Sequence, residues 1–178
     1  MFLSDISAAR IGIVLLQLQE TNPGIFDEAI IYHFDFTAEE KALLNRIMPC
    51  RFVVFDSPLM QENVMTAIFK QVDFHRFSPL IFSRFDMFKY LEEFDLVMWI
   101  DTDVLLQKSI ASLLEEADRT GFAIYREDPK NKSAFQVDYA QTNFNYPIPG
   151  YDMEAYLLCS GLIIVTKTLP IKADYTKW

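Results

Sequence analysis

Residues 95–106 read DLVMWIDTDVLL, and the fold turns on how that run is understood. Leu96-Val97-Met98-Trp99-Ile100 is continuously apolar, too short for an independent helix, and bounded by Asp95 and Asp101. It reads as a strand buried on both faces, the habit of parallel sheets. In such sheets ligands sit beyond the carboxyl ends of the strands, so the polar residues after a buried strand are where chemistry is expected. Here they are Asp101-Thr102-Asp103. Two carboxylates one residue apart, where the strand breaks into a turn, can both face a hard cation. Oxygen ligands suit Mg²⁺ or Mn²⁺, and an ion held by few carboxylates keeps positions for a diphosphate. The competing reading is a solvated turn that happens to hold two acids. Against it, Val104-Leu105-Leu106 follows, so like charges sit within core sequence, which costs free energy without a compensating cation or donor.

Upstream, Ser78-Pro79 supplies an N-cap with proline at the first helical position, and a helix is expected to about Glu93. Its apolar positions Leu80, Ile81, Phe85, Phe88 and Leu91 define the expected buried stripe, with Arg84 beside it. A guanidinium so placed needs an anion. Asp101, Asp103 or a donor phosphate would serve, as would a structural pair with Asp86 or Asp95.

The rest of the chain alternates helices and strands. Residues 4–20 carry Ile6, Ala9, Ile13, Leu16 and Leu18 at near-helical spacing and stop before Asn22-Pro23-Gly24. Phe26 to Phe34 reads as a strand, Thr37-Ala38-Glu39-Glu40 as a capping box opening a helix to about Ile47, and Arg51 to Phe55 as a strand. Gln61 to Phe69 is expected to be helical. Ser109 would cap a short helix, and Gly121 to Tyr125 and Leu162 to Val165 are further strands. This order implies a layered α/β domain with mainly parallel strands. No linker divides the 178 residues, so one domain is expected over 1–178, with 127–152 a long irregular loop. Tyr139, Phe144, Tyr146 and Tyr151 in that loop could stack on a saccharide.

Composition narrows the classes. With 16 basic and 25 acidic residues the net charge is −9, a poor match for nucleic acid. A hydrophobic share of 51% with 16 Phe supplies a core and excludes disorder. Cys50 and Cys159 form no disulfide framework or CxxC motif and read as buried thiols of a reducing compartment. No apolar run approaches the ~20 residues of a membrane span, and no basic region precedes a signal-like stretch. A cytoplasmic protein is expected, with peripheral membrane contact left open. His33 and His75 lack ligand spacing to the acidic pair and read as ordinary structural residues, and Glu115, Glu116 and Asp118 read as a solvated helix end.

The segment FSRFDMFKYLEEFDLVMWIDTDVLLQKSI, residues 82–110, resembles the central signature of family 8 glycosyltransferases, the group of glycogenin and bacterial lipopolysaccharide galactosyl- and glucosyltransferases. The pattern is a helix containing Arg, a hydrophobic strand, DxD and a short apolar continuation. Leu158 to Ile164 (LCSGLII) is similar to the family's Asn-Ser/Ala-Gly strand entry, with Cys159 where Asn is usual. The resemblance implies a GT-A fold, Rossmann-like with an incomplete, mainly parallel sheet. It implies retaining transfer of a hexose from a nucleotide diphosphate sugar, usually a UDP-sugar, to a saccharide or glycan acceptor, with Mn²⁺ or Mg²⁺ at the diphosphate. On the same ground Asp101 and Asp103 would take the metal, Arg84 would act at the phosphates or orient the acids, Thr102 would lie against the donor, and Ser160 and Gly161 would lie near the acceptor. The sequence is expected to open on the helix that follows the family's first strand and to stop before its terminal His segment. An incomplete sheet would leave an edge that invites a homo-oligomer. The alternatives are an inactive nucleotide-sugar-binding remnant and a haloacid-dehalogenase-like phosphatase with Asp101 as nucleophile; for the latter, no acidic second motif follows.

Overall fold

A computed structural model describes residues 1–56, 79–126 and 158–169. Along the chain come β1 (Phe2–Ser4), α1 (Ala8–Thr21), β2 (Ala29–His33), α2 (Ala38–Asn45), β3 (Cys50–Val54), a 3₁₀ helix (Pro79–Glu92), β4 (Leu96–Ile100), α3 (Ala111–Thr120), β5 (Phe122–Arg126) and β6 (Leu158–Thr166). The strands form one sheet in the order β3-β2-β1-β4-β6-β5. β1 runs parallel to β2 and β4, and β2 parallel to β3, whereas β6 is antiparallel to both β4 and β5. The expected α/β architecture with a mostly parallel sheet is therefore present.

Period-two alternation sends side chains to two cores, one on each face. Leu3, Ile31, Met98 and Ile100 pack with α1 and α2 through Ile11, Val14, Leu15, Leu18 and Leu44. Phe2, Ile30, Tyr32, Val97 and Trp99 pack on the other face with Leu80 and Met87 of the 3₁₀ helix. Covering both faces is what makes β4 continuously apolar in sequence.

Three expectations are corrected. First, a strand does precede the first helix. β1 is only three residues long, yet it lies at the centre of the sheet with Phe2 and Leu3 fully buried. Residues 4–7 are not helical: Asp5 accepts the Ser7 N–H at 2.8 Å, making the turn that delivers the chain into α1. Second, the inward face of α1 is Ala8, Ile11, Val14, Leu15 and Leu18, while Ile13 and Leu16, with Ile6 ahead of the helix, are exposed. The helix has two apolar stripes at helical spacing, and only packing against the sheet selects between them. Third, residues 79–92 wind as a 3₁₀ helix. At three residues per turn, Leu80, Ser83, Arg84 and Met87 share one half of the cylinder and Phe85 falls opposite. Leu80, Ser83 and Met87 are buried accordingly, and Phe85 is 58% exposed.

Other elements match closely. The capping box of α2 is complete, with Glu40 N–H donating to the Thr37 hydroxyl and Thr37 N–H to the Glu40 carboxylate. α3 differs by one residue from the expected cap: Ile110, not Ser109, is its N-cap, and the Ser109 hydroxyl oxygen accepts the Ala111 N–H at 3.2 Å just ahead of it. Cys50 is half-buried, its thiol pushed up to about 11 by burial and, secondarily, by Glu28. No helix among the described residues is long and apolar enough to cross a membrane. The helix expected over Gln61 to Phe69, His75, the 127–152 loop with its four aromatic residues, and the side chains of Ile81, Cys159 and Ser160 lie outside the described residues.

Candidate functional site

The carboxyl ends of the adjacent parallel strands β1 and β4 bring Asp5 and the Asp101-Thr102-Asp103 turn together. The Asp101 N–H donates to the Gly161 carbonyl at 2.8 Å, so β6 continues the ladder one residue past β4. The chain then turns, with Val104 N–H returning to the Asp101 carbonyl at 3.1 Å. Thr102 donates its hydroxyl to Asp5, which is buried and also lies 3.6 Å from the exposed guanidinium of Arg10.

Asp101 is held on one oxygen. Trp99, two residues back and therefore on the same face of β4, donates its indole N–H to Oδ1 at 2.6 Å. Arg84 reaches the same oxygen at 3.3 Å from the 3₁₀ helix, with its guanidinium carbon 5.3 Å from the centre of the Trp99 ring. Burial pushes the Asp101 carboxyl above the usual carboxylate range, Arg84 and Trp99 pull it back, and the neighbouring charge of Asp103 adds to the rise. The alternative partners considered for Arg84 are engaged elsewhere: Asp86 with Lys89 at 2.7 Å and Asp95 with Lys167 at 2.9 Å.

Asp103 is exposed. Among the described residues no hydrogen bond or ion pair reaches its carboxylate or the Oδ2 of Asp101, and no group of three or more His, Cys, Asp or Glu is placed to hold a metal. The oxygens there that could take a hard cation such as Mg²⁺ or Mn²⁺ are those of Asp103 and the Oδ2 of Asp101.

Of the residues expected from sequence, Arg84, Asp101, Thr102, Asp103 and Gly161 fall within this one region. Gly161 enters it through its backbone carbonyl, and Ser160 precedes it on β6. His33 ends β2 at the same edge of the sheet but is buried against Phe36 and Phe52, and no contact joins it to the acidic turn among the described residues. Two members were not anticipated. Trp99 reads as core in sequence, although its two-residue spacing from Asp101 placed both on one face. Asp5 follows a short apolar run, as Asp101 follows a long one, and recognising β1 would have brought it forward. A cavity of about 220 Å³ lined by Met1, Glu28, Phe94 and Asp95, among others, opens at the opposite, amino end of the sheet and contains none of these residues.

The mixed α/β architecture with its mostly parallel six-stranded sheet is that of the GT-A glycosyltransferases. Residues 8–151 match the sequence model of glycosyl transferase family 8, and the chain belongs to that family. Crystal structures of the galactosyltransferase LgtC, one in complex with donor and acceptor sugar analogs and one of an active-site mutant, share the fold with a TM-score of 0.65 at 15% identity. The matches cover 93% of this chain and 58% and 57% of those chains, so the chain spans under two thirds of their length. Mouse xyloside xylosyltransferase 1 in its apo form aligns with a TM-score of 0.48 at 18% identity, covering 93% of this chain and 65% of that one. A search of curated protein sequences returned no match.

Proposed function

We propose that the protein is a hexosyltransferase that moves a sugar from a nucleotide diphosphate donor, a UDP-sugar, to a saccharide or glycan acceptor with retention at the anomeric carbon. The observation that carries this reading is the DTD turn: a pinned Asp101 beside an open Asp103, at the carboxyl edge of the sheet, in a chain of family 8.

Asp101, through Oδ2, and Asp103 would hold Mn²⁺ or Mg²⁺, which when bound neutralises charge on the diphosphate. The chain's own residues do the rest. Arg84 places a fixed cation beside Asp101 and favours a diphosphate as it accumulates charge on departure. Asp5, through Thr102, fixes the turn that aims both acids. The bond from the anomeric carbon to the diphosphate oxygen would break, and the acceptor hydroxyl oxygen would form its bond on the same face of the sugar, its proton passing to the departing diphosphate. Gly161, whose carbonyl accepts the Asp101 N–H, and Ser160 on the same strand would face the acceptor.

The test is calorimetric titration of UDP with and without Mn²⁺, followed by UDP-sugar hydrolysis with and without added oligosaccharides. Mn²⁺-dependent UDP binding, weakened at least about ten-fold in Asp103→Asn, is the expected result. UDP binding indifferent to metal and to Asp103 would remove the reading.

A further inference from the structure

We infer that Trp99 is a positioning residue of this site: its indole N–H locks Asp101 through Oδ1 so that Oδ2 is the oxygen offered to the metal–diphosphate. The inference rests on the metal-assisted reading above and adds a role for a residue that otherwise passes as core.

Three features of the geometry carry it. The 2.6 Å bond is short for an N–H donor, as bonds to a charged acceptor are. Trp99 is 1% exposed, so its N–H must find an internal partner, and the one it has is a carboxylate of the DTD turn rather than a backbone carbonyl. The same ring carries the Arg84 guanidinium on its face, and that guanidinium donates to the same oxygen. Trp99 therefore holds Asp101 by one oxygen and backs the Arg84 guanidinium with its ring face. Both are then fixed before any ligand arrives, the arrangement by which outer partners orient first ligands at metal sites. Any buried tryptophan needs an acceptor for its N–H; what marks Trp99 is that the acceptor is the DTD turn itself and that the same ring lies under Arg84.

Trp99→Phe keeps an aromatic ring and deletes the donor. Mn²⁺ binding in the presence of UDP, read from the electron paramagnetic resonance of free Mn²⁺, should weaken about ten-fold or more, while near-ultraviolet circular dichroism still shows a folded chain. A second measurement leaves Trp99 in place. The chain has two tryptophans, so in Trp178→Phe the indole N–H resonance belongs to Trp99 alone. It should lie downfield, shift when Mg²⁺ and UDP are added together, and move upfield in the additional variant Asp101→Asn. A folded Trp99→Phe with wild-type Mn²⁺ affinity, or an indole resonance indifferent to Asp101→Asn, overturns the inference and leaves the transferase reading standing. Failure of the wild-type chain to bind Mn²⁺ with UDP overturns both.

Discussion

The Thr102 hydroxyl donates to the carboxylate of Asp5, 97 residues away in sequence, and so fastens the middle of the DTD turn to the end of β1. Asp5 is 8% exposed, and among the described residues its other partners are the Ser7 N–H and the exposed Arg10. Thr102→Val preserves shape and leaves a buried carboxylate short of one donor. The expected loss is about 1–2 kcal/mol of folding stability, measured by urea denaturation, with Thr102→Ser close to wild type. If valine and serine were equally tolerated, the latch would be ornamental.

The two acids of the turn should separate fold from ligand binding. Asp103 is exposed and makes no hydrogen bond or ion pair among the described residues, so Asp103→Asn should shift the thermal midpoint little. Asp101→Asn weakens two charge-assisted contacts, to Trp99 and Arg84, and should lower both midpoint and metal-dependent UDP affinity. Thermal scans beside UDP titrations in Mn²⁺ check this, and an Asp103→Asn chain that unfolds early would show that the side chain is structural.

How much of this was visible in sequence depends on whether a local signal was unique. Residues 96–100 admit one reading, because a five-residue apolar run between acids is too short for a helix, and the strand ends where expected at Ile100. α1 admits two, because Ile6, Ala9, Ile13 and Leu16 are spaced as regularly as the residues that are in fact buried. The 3₁₀ winding of 79–92 could not be read from apolar spacing of the α type, although Leu80, Ser83, Arg84 and Met87 share a face under either winding; the expected stripe missed Ser83 and Met87 on the buried side and took in the exposed Phe85. β1 was hidden by brevity: three residues have no period. With it went Asp5, while Arg84, Asp101 and Asp103 were recoverable because an Arg helix, an apolar strand and two acids are contiguous. The antiparallel setting of β6, which brings the Gly161 carbonyl to Asp101, has no sequence signature of its own.

Acid should destabilise the fold through His33. Its Nδ1 accepts the Phe36 N–H at 3.0 Å, and its buried Nε2 has no partner among the described residues. Burial, with Lys41 second, lowers its pKa from the ordinary 6.5, against weaker opposing pulls from Asp35 and Glu40. The unfolded chain then binds the proton more readily than the folded one. The contribution is complete above about pH 6.5 and is lost as pH falls below it toward the lowered folded value. His33→Asn retains an acceptor for Phe36 and removes the titration, so its stability curve should be flatter between pH 7 and 5 than that of wild type. Parallel curves would exclude His33 as the source.

Gly121 ends α3 with φ of 84°, its N–H returning to the Ala117 carbonyl at 2.7 Å and its carbonyl accepting the Thr166 N–H at 3.0 Å. It therefore couples α3 to the far end of the strand whose Gly161 supports Asp101. A β-carbon there would meet the backbone of Leu169, 2.9 Å from Cα and 3.0 Å from N, which cannot yield without moving the turn after β6. Gly24 is a built-in comparison, since its φ is 72° but nothing lies within 4 Å of an added β-carbon. Gly24→Ala should cost only the left-handed penalty of about 1–2 kcal/mol, whereas Gly121→Ala adds a backbone collision and should lose at least about 1 kcal/mol more. Denaturant midpoints of the two variants measure the difference directly. Equal losses would mean that the Gly121–Leu169 contact opens at no cost and that β6 is not braced from that end.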